Sequence, residues 1–333
     1  MGRNIRSIRK ELLLYSNNNM YINATYHYLP ETIIANKHYT NLNGLTDEWI
    51  FKRSGIRTRT KAGPDENTNT MAIEAVKAAI DKLPYDLSDV DLIVGATYTP
   101  YDTVGTLAHA VQSHFNIHRA KAVTITSACS SFLNAVEIVE GYFAINKARK
   151  AIVITSEHNS AYNNDRDEQS GYLWGDGAGV AFISKEKLSE SDVKIIDLNT
   201  TGLGHIGKGI EGVHLRPGNG GLQMPFGKDV FVYACKYMVS EVENILKKND
   251  FTLGNIVHFI PHQANSRIIE NVAKSLGLNN GQRIVNIEET GNTGCASTVV
   301  ALSQNWERFL KDELIVISVF GGGYSSGAML LKK

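Results

Sequence analysis

The chain has 333 residues, 43% hydrophobic and 20% charged, enough to bury one large core or two similar lobes. Lys+Arg and Asp+Glu both number 34, which argues against a nucleic-acid binder, since such a protein carries a basic excess or stripe. Three cysteines without a CxxC pair argue against a disulfide framework or a zinc site, and no apolar run reaches the roughly 18 residues of a membrane span.

The N-terminal stretch MGRNIRSIRKELLLYSNNN is basic, with Leu12-Leu13-Leu14-Tyr15 as its only apolar block. That block is too short for a secretory signal, so a cytoplasmic location is expected. Met20 opens the apolar segment MYINATYHYLP, and residues 1–19 are read as an extension outside the fold. Beyond it, short β-branched runs alternate with longer amphipathic stretches, the pattern of an α/β protein with buried strands. Segments 91–96, 122–126, 151–155 and 180–184 read as strands, and 131–147, apolar at Phe132, Leu133, Val136, Ile138, Val139 and Phe143, as a mostly buried helix. In the second half, 256–260, 284–287, 314–319 and 328–331 read as strands and 230–247, 266–276 and 296–310 as helices.

The two halves repeat one plan. AVTIT leads to SACSS, a helix, AIVITS, the turn GDGAG and VAFIS; IVNI leads to GCAST, a helix, LIVISV, the turn GGGYSSG and AMLL. The division falls at 20–190, carrying Cys129, and 191–333, carrying His262 and Asn292. A duplicated α/β unit places its active site where the copies meet, at strand ends.

Cys129 follows a strand and precedes a helix, where the positive end of the peptide dipoles favours the thiolate. An isolated cysteine is otherwise a small buried hydrophobe. In FIPHQAN (259–265) a strand ends at Pro261 and presents His262 before a helix. In GNTG (291–294) glycines on both sides let the backbone approach, and the Asn292 amide is a neutral donor. Other glycine-rich segments lack the context for phosphate binding. GLGHIG (202–207) matches GxGxxG but runs on into loop, and the glycines at 321–323 lead to Tyr324 without a lysine. His109, His114 and His118 share a helical stretch without a further ligand, so no metal is expected there.

The segments TDEWIFKRSGIRTR, TSACSSF, GDGAGVAFI, PHQANSRII, GNTGCAS and FGGGYSSG run from about residue 20 to the C-terminus. In order and spacing they resemble the β-ketoacyl-acyl-carrier-protein synthase III family, initiating condensing enzymes of the thiolase superfamily. The resemblance implies a thiolase-like α/β fold, two duplicated halves in five α-β-α-β-α layers, and a homodimer. It carries the family's Cys-His-Asn triad onto Cys129, His262 and Asn292. Cys129 would take an acyl group from a thioester, and His262 and Asn292 would stabilise the enolate formed as a malonyl thioester loses carbon dioxide. The backbone N–H groups of Cys129 and Gly322 would form the oxyanion hole. Trp49 and Arg53 resemble contacts to the nucleotide end of coenzyme A, and Asn265 a pantetheine contact. Arg267 and Lys274 resemble part of the patch that docks an acidic acyl-carrier protein. No cofactor is implied beyond coenzyme A thioester as substrate.

The sequence departs from the family pattern in three places. Asp167-Glu168 stands where many members have Asp-Arg, with Arg166 just ahead. Val104 stands where many place a phenylalanine that reaches across the dimer, which predicts room for branched or medium acyl starters. Cys295 replaces a frequent alanine or serine and reads as a packing residue. Two other functions compete with condensation. One is acyl transfer to an alcohol or amine, or specialised polyketide chemistry, on the same fold. The other is a non-catalytic partner subunit, which is expected to lack the nucleophile that Cys129 provides.

Overall fold

Strands that are apolar on both faces need helices on both sides of their sheet. The computed structural model describes residues 19–333 and shows that arrangement. Most of the extension at 1–19 lies outside the described residues. The strands are β1 (Met20–Tyr28), β2 (Thr32–Ala35), β3 (Thr58–Lys61), β4 (Leu92–Ala96), β5 (Lys121–Ile125), β6 (Lys150–Glu157) and β7 (Gly177–Ser184). The second half adds β8 (Val193–Gly202), β9 (His214–Arg216), β10 (Gly221–Gln223), β11 (Ile256–Pro261), β12 (Leu314–Gly321) and β13 (Ser325–Lys332). Nine of them form one mixed sheet in the order β11-β12-β13-β8-β1-β7-β6-β4-β5; β2–β3 and β9–β10 are separate pairs.

The helices are α1 (Lys37–Asn43), α2 (Asp47–Ser54), α3 (Thr68–Lys77), α4 (Leu107–His114), α5 (Ser131–Ala144), α6 (Gly227–Lys248), α7 (Ser266–Ser275), α8 (Ile287–Thr290) and α9 (Ser297–Gln304). Alternation along each strand sorts them into layers. Ile93, Ile152, Ile154, Val180 and Phe182 pack against α3 and α4. Their neighbours Leu92, Val94, Ala96, Val153 and Ile183 face the other way, onto α5 and α9. The same two helices also meet Ile315, Ile317, Val319, Met329 and Leu331 of the second half. Leu314, Val316, Ala328 and Leu330 turn away from them, onto α6 and α7. The result is the five-layered thiolase-like arrangement, with α5 and α9 in the middle. Phe132, Val136, Val139 and Phe143 of α5 are all 0% exposed. Each large side chain so buried contributes about 1.5–3 kcal/mol, so α5 is fixed firmly beneath whatever its N-terminus presents.

β5-β4-β6-β7-β1 and β11-β12-β13-β8 follow the same strand plan, joined where Met20–Ile22 pair with residues 193–195. The second copy lacks one strand. The expected strand 284–287 does not form: the bridge from Arg283 to Phe259 falls just ahead of it, and the chain then enters α8. Its buried residues, Ile284 and Ile287, are three apart with Val285 45% exposed between them, a turn spacing and not the period of two a strand needs. The expected helix 296–310 is also shorter. It stops at Gln304, where the Asn305 side chain caps the Ala301 carbonyl (2.8 Å), and a separate short turn, Trp306–Arg308, follows.

Candidate active site

Between β5 and α5 the chain makes a strained turn. Ala128 sits at φ +48°, a conformation that non-glycine residues rarely adopt. Ser131 holds it there: its Oγ accepts from the Ser127 N–H (2.7 Å) and donates to the Ala128 carbonyl (2.6 Å). The turn lifts Cys129 ahead of the helix, 8% exposed. The glycine turn between β12 and β13 lies directly upon it. A Cβ on Gly321 would stand 2.9 Å from both the Ser127 carbonyl and the Ser130 nitrogen, so only glycine allows this approach. The backbone N–H groups of Gly322 and of Cys129 itself pull the thiol's pKa down from this side.

His262 follows the last residue of β11, its N–H bonded to the Ser318 carbonyl (2.8 Å). Its Nδ1 lies 2.8 Å from Ser297 Oγ at the start of α9. Ser297 Oγ also accepts the Gln263 N–H (3.4 Å), and when the Ser297 hydroxyl donates to Nδ1 the ring proton sits on Nε2. Burial pulls the ring's pKa down to about 4, so the imidazole is neutral near pH 7. Asn292 is anchored on three sides. Its N–H donates to the Leu173 carbonyl (2.8 Å), its carbonyl accepts from Gly175 N–H (3.0 Å), and its Oδ1 accepts from Gly294 N–H (3.0 Å). With the amide oxygen so occupied, Nδ2 is the end left to donate.

These groups converge at the N-terminus of α9. His262 joins it through Ser297, Asn292 enters it, and the Cys129 sulfur interacts with Tyr98 and Glu157, which flank Cys295. The helix terminus is not the dominant influence on the thiol. Burial and the nearby Glu157 carboxyl push it up to about 12, against the pull of the two N–H groups and Tyr98. A helix terminus contributes about 0.3–1 kcal/mol, less than desolvation of a buried group costs.

Glu157 and Tyr98 were not singled out from the sequence. Glu157, 0% exposed at the end of β6, accepts from Thr99 Oγ1 (2.5 Å), Thr97 Oγ1 (3.1 Å) and Cys295 Sγ (2.8 Å), and burial raises its pKa to about 7. Both residues stand at strand ends of the apolar runs LIVGAT and AIVITS, the same signal that marked His262. Cys295 packs in the middle layer, as expected, and also spends its proton on Glu157.

Arg53, Asn265, Arg267 and Lys274 line one cleft of about 1310 Å³, with Tyr172 and Phe226. The Arg53 guanidinium lies 5.1 Å from the centre of the Trp49 ring and donates to Tyr172 Oη (3.1 Å). Trp49 is 40% exposed beside it. The Asn265 amide is committed to structure: its Oδ1 caps α7 at the Arg267 N–H (2.9 Å) and its Nδ2 holds the Arg53 carbonyl (3.1 Å). Arg166 lies outside the cleft lining, its guanidinium on the Leu42 carbonyl (3.5 Å). Val104 is 85% exposed on the loop before α4 and does not line that cleft. GLGHIG leaves β8 as a turn. Among the described residues no group of three or more His, Cys, Asp or Glu is placed to hold a metal, and no helix is long and apolar enough to cross a membrane.

The chain was compared with known proteins. The family described as 3-oxoacyl-[acyl-carrier-protein] synthase III matches residues 123–202, and its C-terminal part matches 246–333. A β-ketoacyl-[acyl-carrier-protein] synthase III of Sulfurovum sp. (strain NBC37-1) is 33% identical over 317 residues, 91% of this chain and 93% of the relative. Among solved structures, a 3-oxoacyl-[acyl-carrier-protein] synthase III from Aquifex aeolicus superposes with a TM-score of 0.88 at 30% identity, covering 94% of this chain and all of that one. The priming β-ketosynthase of the R1128 polyketide pathway gives 0.85 at 27% identity, covering 94% and 96%.

Proposed function

Because the chain belongs to the 3-oxoacyl-[acyl-carrier-protein] synthase III family, we propose that Cys129, His262 and Asn292 perform that family's reaction in it. The protein is an acyltransferase, and its reaction is the condensation that initiates fatty-acid synthesis. Cys129 attacks an acyl thioester, the donor thiol leaves with the proton, and the acyl group stays on sulfur. The N–H groups of Cys129 and Gly322 receive the oxyanion of that step; one such donor is worth about 3–4 kcal/mol. Malonyl-acyl-carrier protein then enters and loses carbon dioxide. Nε2–H of His262 and Nδ2–H of Asn292 hold the enolate oxygen, the enolate carbon bonds the acyl carbon, and the Cys129 sulfur departs.

The observation that carries this reading is the pair of neutral donors. Burial keeps the His262 ring uncharged, Ser297 Oγ occupies its Nδ1 and leaves Nε2 facing away, and Gly294 holds Asn292 Oδ1 so that Nδ2 is left to donate. Simple acyl transfer needs no such pair. Arg53 and Trp49 suit the nucleotide of coenzyme A, Asn265 stands where pantetheine would pass, and Arg267 and Lys274 suit an acidic carrier protein. Residues 20–190 and 191–333 serve as the two copies of the unit. A homodimer would cover the exposed Val104, which then borders the partner's acyl pocket. A cytoplasmic enzyme without a resident cofactor completes the reading.

Carbon dioxide release from labelled malonyl-acyl-carrier protein tests it. The wild type releases it and forms a 3-oxoacyl product. His262→Ala keeps acylation of Cys129 but loses release by about 10²–10⁴-fold. No release by the wild type with any starter overturns the proposal.

A further inference from the structure

Arg59 lies in β3 and is 1% exposed, yet its guanidinium meets only neutral partners among the described residues. One Nη donates to the Ile34 carbonyl (3.1 Å), the other to the Tyr172 carbonyl (2.6 Å), and the Tyr39 ring centre lies 4.7 Å from the guanidinium carbon. Nε has no hydrogen-bond partner among the described residues. The carboxylates of Asp165 and Asp47 are engaged elsewhere, Asp165 by Lys61 (2.9 Å) and His38 (3.0 Å), Asp47 by the Asn36 amide (2.7 Å). Taking a cation out of water is costly, and an apolar chain of similar volume in such a place is often neutral or stabilising. Packing alone therefore does not account for Arg59.

What it holds lies one residue from the site. Leu173, next to Tyr172, accepts the Asn292 N–H on its carbonyl (2.8 Å), and Gly175 donates to the Asn292 carbonyl (3.0 Å). The stem of Arg59 closes the other side: a Cβ on Gly291 would stand 2.7 Å from Arg59 Cβ and 3.1 Å from the Leu173 carbonyl. Its neighbours in the chain grip the same two segments. Arg57 N–H donates to the Glu288 carbonyl (2.8 Å), Thr58 Oγ1 to that of Glu289 (2.9 Å) and Thr60 Oγ1 to that of Asp176 (2.5 Å). We infer that Arg59 is a positioning residue for Asn292: it fixes the Tyr172 carbonyl from one side and Gly291 from the other, so that the Asn292 amide stands where the enolate forms. The inference rests on the enolate role given above to Asn292. On that reading Asn292 acts only after Cys129 is acylated, so Arg59 serves decarboxylation and not acylation.

Measuring the two half-reactions separately tests it. Arg59→Met keeps a long side chain without the donors; Arg59→Lys keeps the charge but not the fork that spans two carbonyls. Acylation of Cys129 is followed by intact mass with an acyl N-acetylcysteamine thioester, which lacks the nucleotide, and carbon dioxide release with labelled malonyl-acyl-carrier protein. We expect Arg59→Met to acylate within about twofold of the wild type and to release carbon dioxide about tenfold more slowly, with Arg59→Lys between them. Added to Asn292→Ala, Arg59→Met should cost no further release, since the two act as one unit. Hydrogen exchange of the peptide spanning Asn292 should speed up in Arg59→Met while that spanning Cys129 is unchanged. Equal losses in both half-reactions, unchanged release, a full additive loss in the double variant, or failure of both Arg59 variants to fold overturns the proposal. If exchange speeds up as expected but the wild type releases no carbon dioxide, the anchoring stands and the functional reading fails.

Discussion

Each copy of the α/β unit places a cysteine two residues ahead of a middle-layer helix, Cys129 before α5 and Cys295 before α9. In both, the preceding residue has positive φ, Ala128 at +48° and Gly294 at +58°. The serine that begins each helix is also shared, but its work differs. Ser131 closes its own turn, whereas Ser297 reaches out to His262. The two sulfurs part company in what surrounds them. Cys129 meets two N–H groups and a phenol, all of which favour its anion; Cys295 is 0% exposed and donates to a carboxylate, which disfavours it. On the proposed reading, the two equivalent turns differ in their neighbours, which suit one to a nucleophile and the other to a support. The partner of Cys129 by position is therefore Cys295, while Asn292 stands three residues earlier.

The contrast can be broken from either side. Gly321→Ala drives a methyl into the Ser127 carbonyl and the Ser130 nitrogen, so the glycine turn must lift from Cys129. Acyl-transfer rate should fall about 10²-fold through the lost donor, with the protein still folded by circular dichroism. Gly294→Ala acts on the supporting turn instead, where the methyl meets Tyr98 Oη at 2.4 Å and Glu157 Cγ at 2.9 Å. Its main effect should be a loss of about 1–3 kcal/mol in denaturant unfolding.

Glu157→Gln sharpens the same contrast through pH. Glu157 is raised from 4.5 to about 7, so the folded state holds a proton there that the unfolded state has released. Its contribution to stability is complete below pH 4.5 and is lost as pH rises toward 7. The variant should lose that decline, worth on the order of 2–4 kcal/mol between pH 5 and pH 8. His262 has the opposite sign, costing stability as pH falls from 6.5 toward 4, and should be unaffected by the substitution. The smallest effect lies outside both turns: Trp49→Ala removes the surface against which Arg53 packs, and should raise KM for a coenzyme A thioester a few-fold with kcat retained.

Much of this was legible in the sequence. His262 and Asn292 stand in short strand-end segments marked by Pro261 and by Gly291 and Gly294, and Cys129 in the small-residue segment SACSS between a strand and a helix, all patterns visible in one dimension. Arg53, Asn265, Arg267 and Lys274, which the resemblance assigns to three separate contacts, line one cleft. What escaped was set by three-dimensional surroundings. Periodicity in IVNI cannot separate a strand from a turn when only Ile284 and Ile287 are buried. The thiol's protonation depends on burial and on Glu157, twenty-eight residues further along the chain, as well as on the helix terminus. Tyr98 and Cys295 look like packing residues until their hydroxyl and thiol are placed beside Cys129 and Glu157.

If only the first turn carries the nucleophile, acylation depends on Cys129 alone. Wild type, Cys129→Ala and Cys295→Ala, each incubated with an acyl-coenzyme A and weighed intact by mass spectrometry, would test it most directly. We expect one acyl adduct on the wild type and on Cys295→Ala, mapped to Cys129, and none on Cys129→Ala. An adduct that survives in Cys129→Ala, or one that disappears from a folded Cys295→Ala, would contradict it.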